Sequence, residues 1–188
     1  YRSGLPEQFR LAAFCGLIRA DVSSAAGLLP EGLGHASPTW RGTAARLAAN
    51  LPDKLLKKQG AKLMNGLPPE GRLALVGALV HAKNRSGAPL VRAALENEAD
   101  AGARLAAAAG LGDLGDAEDA DALIALLGHA DPALADAARM SLIKLADPRT
   151  DDRLVRALAK RAGNAAALTR LLGVVTFRKT PKASPKLV

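Results

Sequence analysis

Aromatic side chains make up only 3% of this 188-residue chain, and Val and Ile are scarce as well. Those are the residues that strands favour, so a protein built on β-sheet is excluded. Only one cysteine, Cys15, is present. No disulfide can form within the chain, which tilts the compartment towards a reducing, cytoplasmic one, although exported proteins can also lack disulfides. No apolar run approaches the roughly 18 residues of a membrane span. The sequence opens on YRSGLPEQ rather than Met, so a fragment or processed product is expected and any targeting signal is out of view. Metal and nucleophile patterns are missing too. His35, His81 and His129 form no H-x-x-x-H or H-E pair, the spacing a helical metal site needs. Ser23, Ser24, Ser86 and Ser141 have no G-x-S-x-G context. Cys15 lies on an apolar helix, FRLAAFCGLIRA, and reads as a small buried hydrophobe. No cofactor, metal or small-molecule substrate is expected.

What is abundant is Ala and Leu. The chain is 49% apolar, and these two residues are good helix formers, enough for an all-helical domain with a sizeable core. The apolar residues recur. Ala107, Leu111 and Leu114 make an i, i+4, i+7 stripe. The same stripe appears as Ala13/Leu17/Ala20, Ala44/Ala48/Leu51, Leu75/Leu79/Ala82, Ala138/Leu142/Leu145 and Leu168/Leu172/Val175, with middle members 31, 31, 32, 31 and 30 residues apart. A second series, Leu63, Leu95, Leu127 and Leu158, interleaves at steps of 32, 32 and 31. Each repeat is therefore two amphipathic helices whose apolar faces need neighbouring repeats to cover them.

Joint chemistry agrees with that period. Asp131 is placed to cap a helix and Pro132 to fill its first turn, with Pro69 and Glu70 in the same part a repeat or two earlier. In DPRTDDR a turn leads into acidic residues at a helix start. Gly66 and Gly128 suit left-handed helix ends. Trp40, near a helix start, is expected to pack on the preceding repeat. The histidines read as surface or capping groups.

The unit ARLAAAAGLGDLGDAEDADALIALLGHADPALADAARMSL resembles the HEAT-repeat family, in particular its short bacterial, phycobilin-lyase type, most clearly over 70–160. The resemblance implies an all-α solenoid: a right-handed superhelix of about five to six helix-turn-helix repeats over 1–176. It also implies a non-catalytic protein-interaction scaffold whose second helices line the concave surface. Deoxyhypusine hydroxylase, an enzymatic relative in fold, uses repeated His-Glu pairs, and this sequence has none. The last residues, 177–188, are basic, contain Pro181 and Pro185, and read as a tail.

Residues 110–115, GLGDLG, also match the dinucleotide fingerprint G-x-G-x-x-G. That motif needs a strand before it and a helix opening after it. Here a strong helix former, RLAAAA, precedes it, and Asp116, Glu118, Asp119 and Asp121 follow, where they would repel a phosphate. The glycines are read instead as a close helix approach and a turn.

Net charge is +8, and it is distributed in blocks: +2 over 1–50, +3 over 51–100, −4 over 101–150 and +7 over 151–188. Lys54, Lys57, Lys58 and Lys62 share one face of a second helix. Arg153, Arg156 and Lys160 share another, with Arg92 on the equivalent helix between. These eight residues are the candidate partner-binding set, suited to an acidic or extended protein partner. The alternative is nucleic acid held through its phosphates. Against that, the acidic second helix at 117–127 would interrupt a basic track, and aromatics for base stacking are few.

Overall fold

A computed structural model of the chain describes residues 4–22, 25–97, 99–160 and 164–179. Among the described residues eleven α-helices run in order: α1 Glu7–Ala20, α2 Ala25–Leu33, α3 Pro38–Ala49, α4 Asp53–Asn65, α5 Pro69–His81, α6 Ala88–Glu96, α7 Ala101–Leu114, α8 Asp119–Leu126, α9 Pro132–Lys144, α10 Arg149–Ala159 and α11 Ala165–Arg178. A 3₁₀ turn, Arg85–Gly87, leads into α6. No strand occurs among the described residues. Odd-numbered helices carry the main apolar stripe, and even-numbered ones are the second helices of each hairpin.

The chain divides into two compact units, Tyr1–Ala94 and Leu95–Val188. In the first, α1 packs on α3 and α3 on α5, while α2 lies against α4. In the second, α9 packs between α7 and α11, while α8 lies against α10. Each unit is thus hairpins layered in series, the all-α solenoid arrangement. The interior stripes are buried as the period predicts: Ala44, Ala48 and Leu51, then Leu75 and Leu79, then Ala107, Leu111 and Leu114, then Ala138, Leu142 and Leu145. Each fully buried Leu is worth about 2 kcal/mol relative to exposure. Ala82 is exposed, because α5 has already ended at His81.

The first and last stripes are displaced by one residue from the expected register. α1 buries Phe14 and Ile18, leaving Ala13, Leu17 and Ala20 exposed. α11 buries Ala167, Leu171 and Val174 along with Val175, and Leu168 and Leu172 are only half-buried. A one-residue shift turns the buried face by about 100°. Both helices carry apolar residues all round, so periodicity does not choose between faces and packing does. Phe14 lies against Trp40 of α3, ring centroids 5.1 Å apart. Trp40 is 2% exposed, on the preceding repeat as expected. Cys15, beside Phe14, is half-buried rather than buried.

Most helix starts follow the expected chemistry. Asp131 Oδ1 accepts the Ala133 N–H at 2.9 Å, with Pro132 in the first turn of α9. Pro69 and Glu70 open α5, and Asp151 and Asp152 sit in the first turn of α10. His35 and His129 cap alike: the Nδ1 of each accepts the N–H two residues on, from Ser37 and Asp131, at 3.0 Å. The helix ends differ from expectation. Gly66 is right-handed, φ −86°, and Gly128 is not left-handed either. Gly128 instead permits close approach, a Cβ there lying 3.3 Å from that of Ala167. Among the described non-glycine residues, the left-handed positions are Lys83 and Lys179, both at φ 51°. Lys83 is tolerated because Asn84 secures the chain just after it. Asn84 donates from its backbone to Leu79 and from Nδ2 to the Ala49 carbonyl, and accepts from Ser86 N–H.

LPEGL is helical in α2 despite Pro30 inside it. Leu29 and Leu33 are almost completely buried, and that burial offsets a proline's cost of about 3 kcal/mol. Phe177 and Arg178 belong to α11. The rest of the basic tail from 180, with Ser23 and Ser24, lies outside the described residues.

Candidate partner-binding surface

GLGDLG is architecture. α7 runs through Gly110 and Gly112 with no strand before them. A Cβ on Gly112 would lie 2.8 Å from the Ser141 backbone of α9, so only glycine allows this approach. Ser141 is buried there and donates to the Ala108 and Ala109 carbonyls. At Gly115 the Asp119 carboxylate folds back and accepts the Asp116 N–H at 3.0 Å. A Cβ on Gly115 would meet that carboxylate oxygen at 2.6 Å. An anion of the protein's own thus takes the amide that a phosphate would need.

The positive charge divides by residue type. Several arginines are structural. Arg41, Arg72 and Arg104 all occupy the fourth position of a first helix. They donate to carbonyls at the end of the preceding hairpin: Arg41 to His35 and Ala36, Arg72 to Leu67, Arg104 to Leu95. Orphan helix-end carbonyls gain a charged donor this way. Ala135 fills the fourth position of α9, and the matching Leu127 carbonyl is served by Arg170 from α11. Arg178 closes the end of α9, reaching the carbonyls of Leu142, Ile143 and Leu145 while its Nε holds Asp151 at 2.8 Å. This periodic use of arginine is missed when basic residues are counted as surface charge. Its signal was an Arg at 31- and 32-residue steps, 41, 72 and 104.

The eight candidate residues separate accordingly. Lys54, Lys57, Lys58 and Lys62 are all exposed on α4, and among the described residues no carboxylate pairs with any of them. Arg92, on α6 in the same unit, is half-buried and already partnered. In the second unit, Arg153 of α10 is bound to Asp121 of α8, one repeat earlier in sequence. Arg156 and Lys160 are exposed. The acidic second helix α8 therefore pairs with one cation of its basic neighbour α10. Nearby, the Asp147 carboxylate accepts four contacts from Arg149, one from its backbone N–H and three from its guanidinium, the closest at 2.7 Å, and it also accepts the Ala117 N–H. The Arg149 side chain, then its backbone N–H, hold the Asp147 carboxyl well below the usual range. The Arg149 guanidinium is stabilised in turn by Asp147.

Beside the lysines lies a feature that the charge pattern did not reveal. α4 spends Leu56, Gly60 and Met64 on packing. Gly60 admits Leu90 of α6 so closely that a Cβ would be 2.6 Å from its methyl. A second row on α4, Leu55, Gln59 and Leu63, is only half-buried. It faces Leu29 and Pro30 of α2 across a pocket of about 350 Å³, with Lys62 among its lining. The legible signal was the doubled apolar positions in DKLLKK and KLMN, one more row than stacking requires.

No helix among the described residues is long and apolar enough to cross a membrane, and no group of His, Cys, Asp and Glu among them is arranged to hold a metal. Layered helical hairpins with interior stripes at a fixed period define an all-α repeat protein. Residues 56–143 match the HEAT repeats family, so that stretch of the chain is built of HEAT repeats. No curated protein matches it by sequence. HEAT repeats generally mediate protein interactions as scaffolds, and the family is typically non-catalytic.

Proposed function

We propose that the chain is a non-catalytic scaffold that presents a partly basic second-helix surface to an acidic or extended segment of a partner protein. Stacking preorganises such a surface, so less ordering cost falls on binding. The observation that carries this reading is the unneutralised row Lys54, Lys57, Lys58 and Lys62 on α4. Elsewhere Arg72 and Arg170 cap carbonyls, and Arg153 and Arg178 pair with acids. Arg156 and Lys160 offer a second, smaller face in the other unit.

Fluorescence anisotropy with a labelled peptide of Glu and Asp, against a labelled DNA duplex, across a salt series, tests this. The peptide should bind, and the triple reversal Lys54→Glu, Lys57→Glu, Lys58→Glu should abolish its binding. Tighter binding of the duplex, falling linearly in log salt as phosphate neutralisation requires, would replace this reading with nucleic-acid recognition.

A further inference from the structure

We infer that the groove between α2 and α4 is an anchor site that takes one large aliphatic or aromatic side chain from an acidic peptide. The inference rests on the acidic-partner reading above and adds the chemistry of the contact. The groove has about 350 Å³ of space, at the low end of ligand-sized pockets and roomy enough for a bulky side chain. Its walls are Leu29 and Pro30 on one side and Leu55 and Leu63 on the other, with Leu51 also lining it. Leu55 and Leu63 remain half-exposed on a helix whose packing is already supplied by Leu56, Gly60 and Met64.

Charge selects the occupant. Lys62 lines the groove, and Lys58, one turn earlier, extends the same edge of α4 with an exposed ammonium. An apolar hollow edged by free cations complements an apolar side chain flanked by carboxylates. A buried anchor within a charged rim is also the usual distribution of energy in protein recognition. A nucleic-acid duplex offers anions but keeps its aromatic bases stacked inside, away from such a hollow.

Two labelled peptides of Glu and Asp, one with a central Leu-Phe pair and one with Ser-Ser in its place, are compared on the intact chain. The anchored peptide should bind about tenfold tighter, a difference of about 1.4 kcal/mol. It alone should shift the methyl resonances of Leu29, Leu55 and Leu63. Leu63→Glu should erase the difference between the peptides while leaving the melting temperature close to wild type, and Lys58→Glu with Lys62→Glu should weaken both peptides. Equal affinities, or methyl signals that stay in place, would sink the anchor site while leaving the acidic-partner reading intact. Failure of both peptides to bind would remove both.

Discussion

Helices α4 and α10 are both second helices with three or four cations on one face, yet their electrostatics differ. On α4, Lys54, Lys57, Lys58 and Lys62 have no carboxylate partner among the described residues. On α10, Arg153 is tied to Asp121 of α8, and Asp147 and Arg149 close on each other just before and at the helix start. The difference lies in the neighbours. α8 carries Asp119 and Asp121 in its first turn, and the repeat brings Asp121 alongside Arg153. α2 carries one carboxylate, Glu31, which is itself engaged. Cations on a second helix are therefore left unpaired where the acids of the helix one repeat earlier do not reach them.

The strongest way to break the comparison is to remove the packing that sets each pair of helices side by side. Leu111, in the second unit, and Leu79, in the first, are both fully buried. Leu111→Asp or Leu79→Asp places a carboxylate between stacked helices and should cost several kcal/mol, on the order of the burial penalty for an uncompensated polar group. Circular dichroism should show lost helicity or a sharply lowered melting temperature. A wild-type melt for either variant would overturn the assigned stripe.

A smaller perturbation sharpens the contrast. Asp121→Ala releases Arg153, and should make α10 behave more like α4. Stability should fall by less than about 1 kcal/mol, as for a surface ion pair, while affinity for the Glu/Asp peptide rises at low salt. If affinity is unchanged, cation count on α10 is irrelevant to binding.

The smallest effect concerns acid. Asp147 has a carboxyl depressed in the folded state by Arg149, so its contribution is complete above the unfolded value of about 4 and is lost as pH falls below it. Urea unfolding at neutral and acidic pH should show wild type losing more stability on acidification than Asp147→Asn does. Equal slopes would show that the Asp147–Arg149 contact does not contribute to folding.

Helices, hairpin pairing and the interior stripes were legible because they follow from patterns spanning one or two turns. Ala107, Leu111 and Leu114 reveal a face by spacing alone, and Asp131 and Pro132 mark a helix start by local hydrogen bonding and fixed φ. The register of α1 was not legible, since Ala13/Leu17 and Phe14/Ile18 both satisfy helical spacing and only contact with Trp40 separates them. Left-handed ends at Lys83 and Lys179 escaped because glycine is the usual signal, and Asn84 compensates through a bond to Ala49, 35 residues away. The candidate site was half legible. The lysine row follows from i, i+3, i+4 spacing, but the groove beside it needs α2 to be helical through Pro30, which local propensity argues against.

Composition and periodicity alone determined an all-helical chain of stacked hairpins, because helix propensity, capping and amphipathic spacing act within a few residues. Which cations remain free, which face of an end helix is buried and where a hollow is left open were decided by tertiary structure. Each of those depends on atoms from helices about thirty residues apart in sequence, and one chain's linear order does not say which of them meet.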